Sequence, residues 1–206
     1  MGGEAPSKED YETTGNSFDL RFAADSGYDI ALGYDVTVDK VVGDMDSIEP
    51  DRISRIESEK VVMFPREKDE TDTEIGLRML REAGCQDITI VGGGGGRLDH
   101  LVAILALFDR PQPPQRGLTR HNVVSLVEKK VVMRNRKGST VSFFPVGHEM
   151  CTMHSVGLKW NLDGLVWKKG DVGLSNEITN RDAIVEIHSG RLIMVCSFDL
   201  FTGVSM

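Results

Sequence analysis

The sequence predicts an α/β N-terminal domain with a mainly parallel, Rossmann-like sheet, followed by an all-β sandwich domain. Three observations predict it. Between residues 20 and 108, short apolar strand-like runs alternate with helix-like runs, as in parallel β-α units whose sheet is buried on both faces. The stretch "DRPQPPQRG", residues 109–117, then interrupts the pattern, because closely spaced prolines mark a connection. Beyond it come short β-branched or alternating runs separated by Gly, Asn and Asp, which suit an antiparallel sandwich or barrel. The expected division is residues 1–129 for the α/β domain and 130–206 for the sandwich.

Residues 1–17 are polar and expected to be mobile. "LRFAAD" reads as a strand ending on Asp25, and "GYDIALGYD" as a short helix closed by Gly33. "DKVVGDMDSI" is a second strand running into an acidic turn, and "KVVMFP" is a third. "TDTEIGLRMLREAGC" is a helix: Ile75, Leu77, Met79 and Leu80 are its apolar residues, Glu74 and Arg78 form an i,i+4 pair, and Gly84 stops it. "DITIVGG" is a fourth strand, with "LDHLVAILALF" as the helix after it. Later, "NVVSLVEKKVVMRN", "STVSFFPV", "GLKWNL", "DAIVEIHSG" and "RLIMVCSF" read as strands. Alternation along "GLKWNL" places Leu158, Trp160 and Leu162 on one face.

The net charge is −8 with no visible basic face, which argues against a nucleic-acid partner. No apolar run approaches the ~20 residues that span a bilayer, so no membrane association is expected. The start, "MGGEAPSKEDYETTGNSFDLRF", lacks the basic-then-apolar pattern of a signal peptide. Cys85, Cys151 and Cys196 are far apart and form no C-x-x-C, which suggests neither a disulfide framework nor a zinc site. The expected compartment is the cytoplasm.

Acids mark the predicted strand ends. Asp25 ends the first, Asp44 and Asp46 the second, Asp69 and Asp72 follow the third, and Asp99 follows the fourth. In an open parallel sheet the carboxyl ends share one edge, where ligands bind, so these acids are expected to converge. Any one alone reads as a cap or turn residue. Together they form an oxygen-rich set that suits Mg²⁺, an ion bound through one or two carboxylates, water and substrate phosphates. The ion would bridge the acids to a polyphosphate they otherwise repel. The glycines of "VGGGGGRLDH" fit neither G-x-G-x-x-G, which needs glycine where Arg97 stands, nor the P-loop, which needs Lys-Ser/Thr. Strand, glycines and helix in succession are nonetheless a setting for phosphate binding by backbone amides. Arg97 adds a fork of donors, and Lys68, with Arg66 a weaker candidate, adds positive charge. The competing reading is a flexible turn with Asp99 capping the helix. The reaction class these residues suit is phosphoryl or pyrophosphoryl transfer.

"ADSGYDIALGYDVTVDKVVGDMDSI", "KDETDTEIGL", "GGGGGRLDH", "GLKWNL" and "GLSNE" resemble the ordered motifs of the thiamine pyrophosphokinase family, from about residue 22 to the end. The resemblance implies transfer of the pyrophosphoryl group of ATP to thiamine, giving thiamine diphosphate and AMP. It also implies a homodimer with active sites between subunits. Carried over by motif, Asp44, Asp46, Asp72 and Asp99 are the expected catalytic residues and Mg²⁺ ligands. Asp25, Lys68, Asp69, Gly95, Gly96 and Arg97 are expected at the nucleotide, and Trp160, Ser175 and Asn176 at thiamine. The chain departs from the family at "ADSG", where Ser26 replaces a glycine. It departs again before Gly2 and Gly3, where the family has an apolar strand and only Met1 stands here. Two other readings stay open: a pyrophosphokinase for another small alcohol, and a non-catalytic regulatory protein that binds thiamine or its diphosphate.

Trp160 reads either as a core residue or as a flat platform for the thiazolium cation, with Trp167 less favoured. Ser175 and Asn176 read either as turn residues or as the donor and acceptor an aminopyrimidine needs. His100, at the start of a helix, reads as structural packing rather than catalysis, and His121, His148, His154 and His188 show no metal-ligand spacing.

Overall fold

The computed structural model describes residues 1–15, 17–95 and 97–206. Its first half contains α1 (Lys8–Thr13), β1 (Phe22–Ala24), α2 (Gly27–Gly33), β2 (Lys40–Gly43), α3 (Pro50–Ile53), β3 (Val61–Met63), α4 (Asp72–Glu82), β4 (Thr89–Val91) and α5 (Leu98–Leu107). Then follow β5 (Arg116–Leu118), β6 (Val123–Val127), β7 (Lys130–Met133), β8 (Thr140–Val146) and β9 (Cys151–Val156). The remainder comprises β10 (Val166–Trp167), β11 (Gly173–Glu177), β12 (Ala183–Ser189), β13 (Arg191–Cys196), α6 (Phe198–Phe201) and β14 (Val204–Ser205).

The fold is the expected one: parallel strands with helices, then mostly antiparallel sheets. Strands β1, β2 and β3 form a parallel sheet in that order. The fourth parallel strand is elsewhere. β4 pairs in parallel with β5 at the end of a six-stranded sheet, β11-β8-β13-β6-β5-β4, whose other pairings are antiparallel. A five-stranded sheet, β10-β9-β12-β7-β14, forms the other layer. The largest core lies between these layers, around Phe143, Met133, Leu192, Met194 and Ile178. β6 is buried at every position because both of its faces are covered. The expected division after residue 129 falls between β6 and β7, while the six-stranded sheet takes strands from both sides of it.

Three local expectations are corrected. Residues 1–17 contain α1, begun by a Ser7 side chain accepting from the Asp10 amide; its buried Tyr11 stacks on Tyr34 at 4.6 Å. "GLKWNL" is not a strand. Gly157 takes φ +81°, only Leu158 makes a bridge, to Ile178, and the Asp163 amide donates to the Asn161 side chain in a tight turn. Leu158 and Leu162 are therefore buried while Trp160 is 56% exposed. Finally, Glu74 does not pair with Arg78. It closes a capping box with Thr71 and meets Arg110, and Arg78 reaches Glu70 and Glu82 instead.

Candidate active site

The acidic group forms where β1 and β2 end. The Asp25 amide continues the ladder to the Val42 carbonyl at 3.0 Å, and the chain then turns sharply, with Asp25 at φ +45°. Beyond β2, Gly43 takes φ +147° and Met45 φ +62°, which folds "GDMD" back over the strand end. The Met45 amide donates to Asp25 Oδ1 at 3.3 Å and the Asp46 amide to Asp44 Oδ1 at 3.2 Å. Carboxylate oxygens of Asp25, Asp44 and Asp46 thus come within 4.8 Å of one another, graded from half-buried to exposed.

Asp72 joins from a third direction. Thr71 caps α4, placing Asp72 in its first turn. The Asp25 and Asp72 carboxyls come together over Gly43, where a Cβ would lie 2.0 Å from Asp25 Oδ1 and 3.2 Å from Asp72 Cγ. Burial first, then the neighbouring Asp72 carboxyl and its charge, push Asp25 up to about 7. Lys68 Nζ lies 3.1 Å from Asp72 Oδ1, yet that buried oxygen takes no directed hydrogen bond among the described residues. Arg66 reaches Asp46 at 3.4 Å. A hard, partly dehydrated oxygen set with an unsatisfied carboxylate oxygen is the donor chemistry a small divalent cation takes.

Gly43 escaped the sequence reading. A Cβ there would lie 2.0 Å from Asp25 Oδ1 and 3.2 Å from Asp72 Cγ, so only glycine leaves room for the two carboxyls. Its sequence signal is slight, one glycine between a strand and an acid.

The structure does not bring Asp99 into this group. The carboxylate turns to its neighbour Arg97, which holds it down to about 2. Nor does Asp99 cap α5: Arg97 occupies the N-cap without a side-chain bond. Asp69 is exposed and outside the cluster. Gly95 has φ +98° and its Cα faces the Glu4 carboxylate, which also meets Arg120. Gly96 lies outside the described residues.

In the sandwich, Asn176 is buried at 3% exposure and spends both ends of its amide on Trp160. Its Oδ1 accepts from the Trp160 amide at 3.1 Å, and its Nδ2 donates to the Trp160 carbonyl at 2.7 Å. Its donor and acceptor are thus engaged by backbone. Ser175 sits at φ +56° with its amide donating to Ser142 Oγ at 2.9 Å, which leaves its side chain exposed. Lys159 Nζ stands 4.9 Å from the Trp160 ring centroid and 2.9 Å from Glu177, so the ring already faces one cation. Among the described residues, no hydrogen bond or ion pair joins Trp160, Ser175 or Asn176 to the acidic group.

Comparison with known proteins matches the chain by sequence and by fold. The thiamin pyrophosphokinase catalytic domain matches residues 11–116, and the thiamin pyrophosphokinase vitamin B1 binding domain matches residues 128–194. A thiamine pyrophosphokinase from Bacillus subtilis (strain 168) is 24% identical over 194 residues, covering 87% of this chain and 88% of that protein. The crystal structure of a B. subtilis thiamine pyrophosphokinase superposes with a TM-score of 0.77 at 24% identity, covering 97% of each chain. Thiamin pyrophosphokinase from Candida albicans superposes with a TM-score of 0.69 at 19% identity, covering 87% of this chain and 81% of that one.

Proposed function

The chain belongs to the thiamin pyrophosphokinase family, and we propose that its acidic rim carries out that family's chemistry: transfer of the pyrophosphoryl group of ATP to the hydroxyl of thiamine, yielding thiamine diphosphate and AMP. One observation supports the placement above the others. Asp25, Asp44 and Asp46, scattered over two strand ends, present oxygens within 4.8 Å of one another, with the Asp72 carboxyl beside Asp25 over Gly43.

Asp44, Asp46 and Asp25 would hold Mg²⁺, with Asp72 behind them. When bound, the ion supplies charge neutralisation for the polyphosphate and for the developing charge at phosphorus. Lys68, ion-paired with Asp72, keeps one positive group at the rim for phosphate oxygens. Arg97 reaches the nucleotide only by leaving Asp99, so Asp99 acts as its parking place. Trp160 offers a ring face to the thiazolium, and Asn176 fixes the backbone that carries it.

A homodimer completes the site in this reading. Val156, Trp160, Val166, Val172 and Leu174 all expose large apolar side chains between residues 156 and 174, and exposed apolar side chains of this kind suit a partner. Cytoplasmic location is supported by three free cysteines. No helix among the described residues is long and apolar enough to cross a membrane.

Incubation with ATP, Mg²⁺ and thiamine, read by chromatography for thiamine diphosphate and AMP, tests the reading. The expected result is equimolar formation of both, dependent on Mg²⁺. AMP formation that ignores thiamine, or none at all, overturns it.

A further inference from the structure

Along β9, alternation buries Cys151, Met153 and Ser155 on the inner face, while His154 and Val156 are exposed. A hydroxyl at an inward position destabilises the fold unless it is hydrogen-bonded. Ser155 is 4% exposed, and its hydroxyl is bonded twice. Its Oγ accepts from the Leu162 amide at 2.9 Å and donates to Asn161 Oδ1 at 3.0 Å. Its own amide donates to Asp163 Oδ1 at 2.7 Å. One strand residue thus reaches all three residues that follow Trp160.

Asn161 and Asp163 also hold each other. Asn161 Oδ1 accepts from the Asp163 amide at 2.8 Å, and Asn161 Nδ2 donates to Asp163 Oδ2 at 3.2 Å. His154 Nδ1 stands 2.9 Å from Asp163 Oδ1. The Ser155 amide first, then Asn161 and His154, hold the Asp163 carboxyl below the usual carboxylate range, so it serves as an acceptor only. The Asn161 amide therefore has one orientation: its oxygen takes two donors and its nitrogen meets an acceptor.

This ring of bonds starts where Trp160 ends. Leu158 and Leu162 are buried on either side of the exposed indole. Before it, the Lys159 amide donates to the Glu177 carbonyl at 2.9 Å, and Asn176 takes the amide and carbonyl of Trp160 itself. After it, the Ser155 network takes over. The Trp160 backbone is thus clamped from β11 on one side and from β9 on the other, which fixes the direction in which its side chain leaves the chain.

We propose that Ser155, Asn161 and Asp163 are positioning residues for the acceptor: they set the angle at which Trp160 presents its ring to a flat, cationic heteroaromatic substrate. This role rests on the assignment of Trp160 to the thiazolium made above. Each of the three acts through the Trp160 turn rather than by contact with the substrate. Losing the network leaves a ring that must be ordered on binding, which weakens acceptor affinity and leaves the phosphate chemistry alone.

The Asn161–Asp163 contact can be broken and rebuilt. Asp163→Asn alone sets two N–H donors against each other there, and Asn161→Asp alone sets two carboxylates against each other. The double exchange, Asn161→Asp with Asp163→Asn, again faces one donor with one acceptor. It also leaves Ser155 and His154 with the oxygens they already use. Thiamine and ATP kinetics are compared for the parent, both single variants and the double exchange, below the Tm of each. Each single variant is expected to raise the thiamine KM roughly fivefold, the worth of about one hydrogen bond, with kcat and the ATP KM unchanged. The double exchange is expected to return the thiamine KM to within about twofold of the parent. A parent that forms no thiamine diphosphate overturns the assigned reaction and this role with it. A parent that forms it, with single variants that keep its thiamine KM, overturns the positioning role alone. So does a double exchange as poor as the single variants, because the residue types and not their mutual bond would then matter. Selective ¹⁵N-tryptophan labelling reads the order parameter of the Trp160 amide directly. It is expected near about 0.85 in the parent and the double exchange and below about 0.6 in the single variants. Equal order in all of these proteins overturns the role whatever the kinetics.

Discussion

At the acidic rim, strand ends and a helix start position the functional atoms; at the Trp160 face, one buried side chain does. Asp25, Asp44 and Asp72 issue from β1, β2 and α4, and backbone amides of Met45 and Asp46 pin two of them. Trp160 sits in a turn between β9 and β10, exposed, and held by Asn176 from β11. The rim is thus organised by elements of one chain. The aromatic face, a solvent-exposed ring beside Lys159, is in the proposed reading only half a site. Chemistry of the phosphates should therefore fail in an all-or-none way when the rim is altered, while the acceptor side should respond in graded affinity.

The largest expected effect comes from Asp46→Asn. Asp46 is exposed and caps nothing, so the fold should tolerate the change. Turnover should drop on the order of 10³-fold, as when a group stabilising transition-state charge is lost, while Tm without Mg²⁺ stays level or rises because like charges are thinned. Activity within tenfold of the parent would break the contrast. Gly43→Ala comes next. Its Cβ collides with the Asp25 carboxylate and its φ is one that L side chains rarely adopt, so a loss of about 1–3 kcal/mol is expected. Activity should fall with it by roughly 100-fold. Adding Asp25→Ala to Gly43→Ala should recover part of the Tm but none of the turnover. Recovery of both would show that Asp25 is packing alone.

The rim was legible because an acid at each strand end is a pattern the parallel topology converts into proximity. Asp99 fits that pattern and still does not join, because β4 belongs to the six-stranded sheet and Arg97 beside it captures the carboxylate. Sequence alternation cannot tell which sheet a strand enters. At the sandwich, the motif resemblance placed Trp160 with Asn176, and the structure brings them together. Alternation misplaced the ring, since a left-handed Gly157 and the Asn161–Asp163 turn break the strand that the pattern requires. Gly43 was illegible: its role depends on two carboxyls that only the fold brings over it.

On the acceptor side, Asn176→Ala should act on Trp160 without touching the rim. It strands a backbone N–H and C=O that Asn176 now satisfies, which costs about 1–3 kcal/mol of stability. The thiamine KM should rise roughly tenfold, matching a loss of about 1.4 kcal/mol, with the ATP KM unchanged. Trp160→Ala should give the same split. If instead the ATP KM rises and the thiamine KM holds, the aromatic face belongs to the nucleotide.

The smallest effect is the most diagnostic of how the rim is charged. Asp25 is raised from 3.8 to about 7, so between these values the folded chain binds more protons than the unfolded one. Its contribution to stability is therefore complete below the ordinary carboxylate range and is lost as pH climbs through about 7, where ionised Asp25 faces Asp72 and Asp44. In the proposed reading Mg²⁺ competes with that proton for the same oxygens. The rise in Tm on adding Mg²⁺ should thus be small at about pH 5.5, grow through neutrality and level off by about pH 8, a span of a few degrees. Asp25→Asn should flatten the metal-dependent slope. A Tm rise equal at both pH values, or larger in acid, would mean that Mg²⁺ binds away from Asp25, and the preorganised rim would then lose its distinction from the aromatic face.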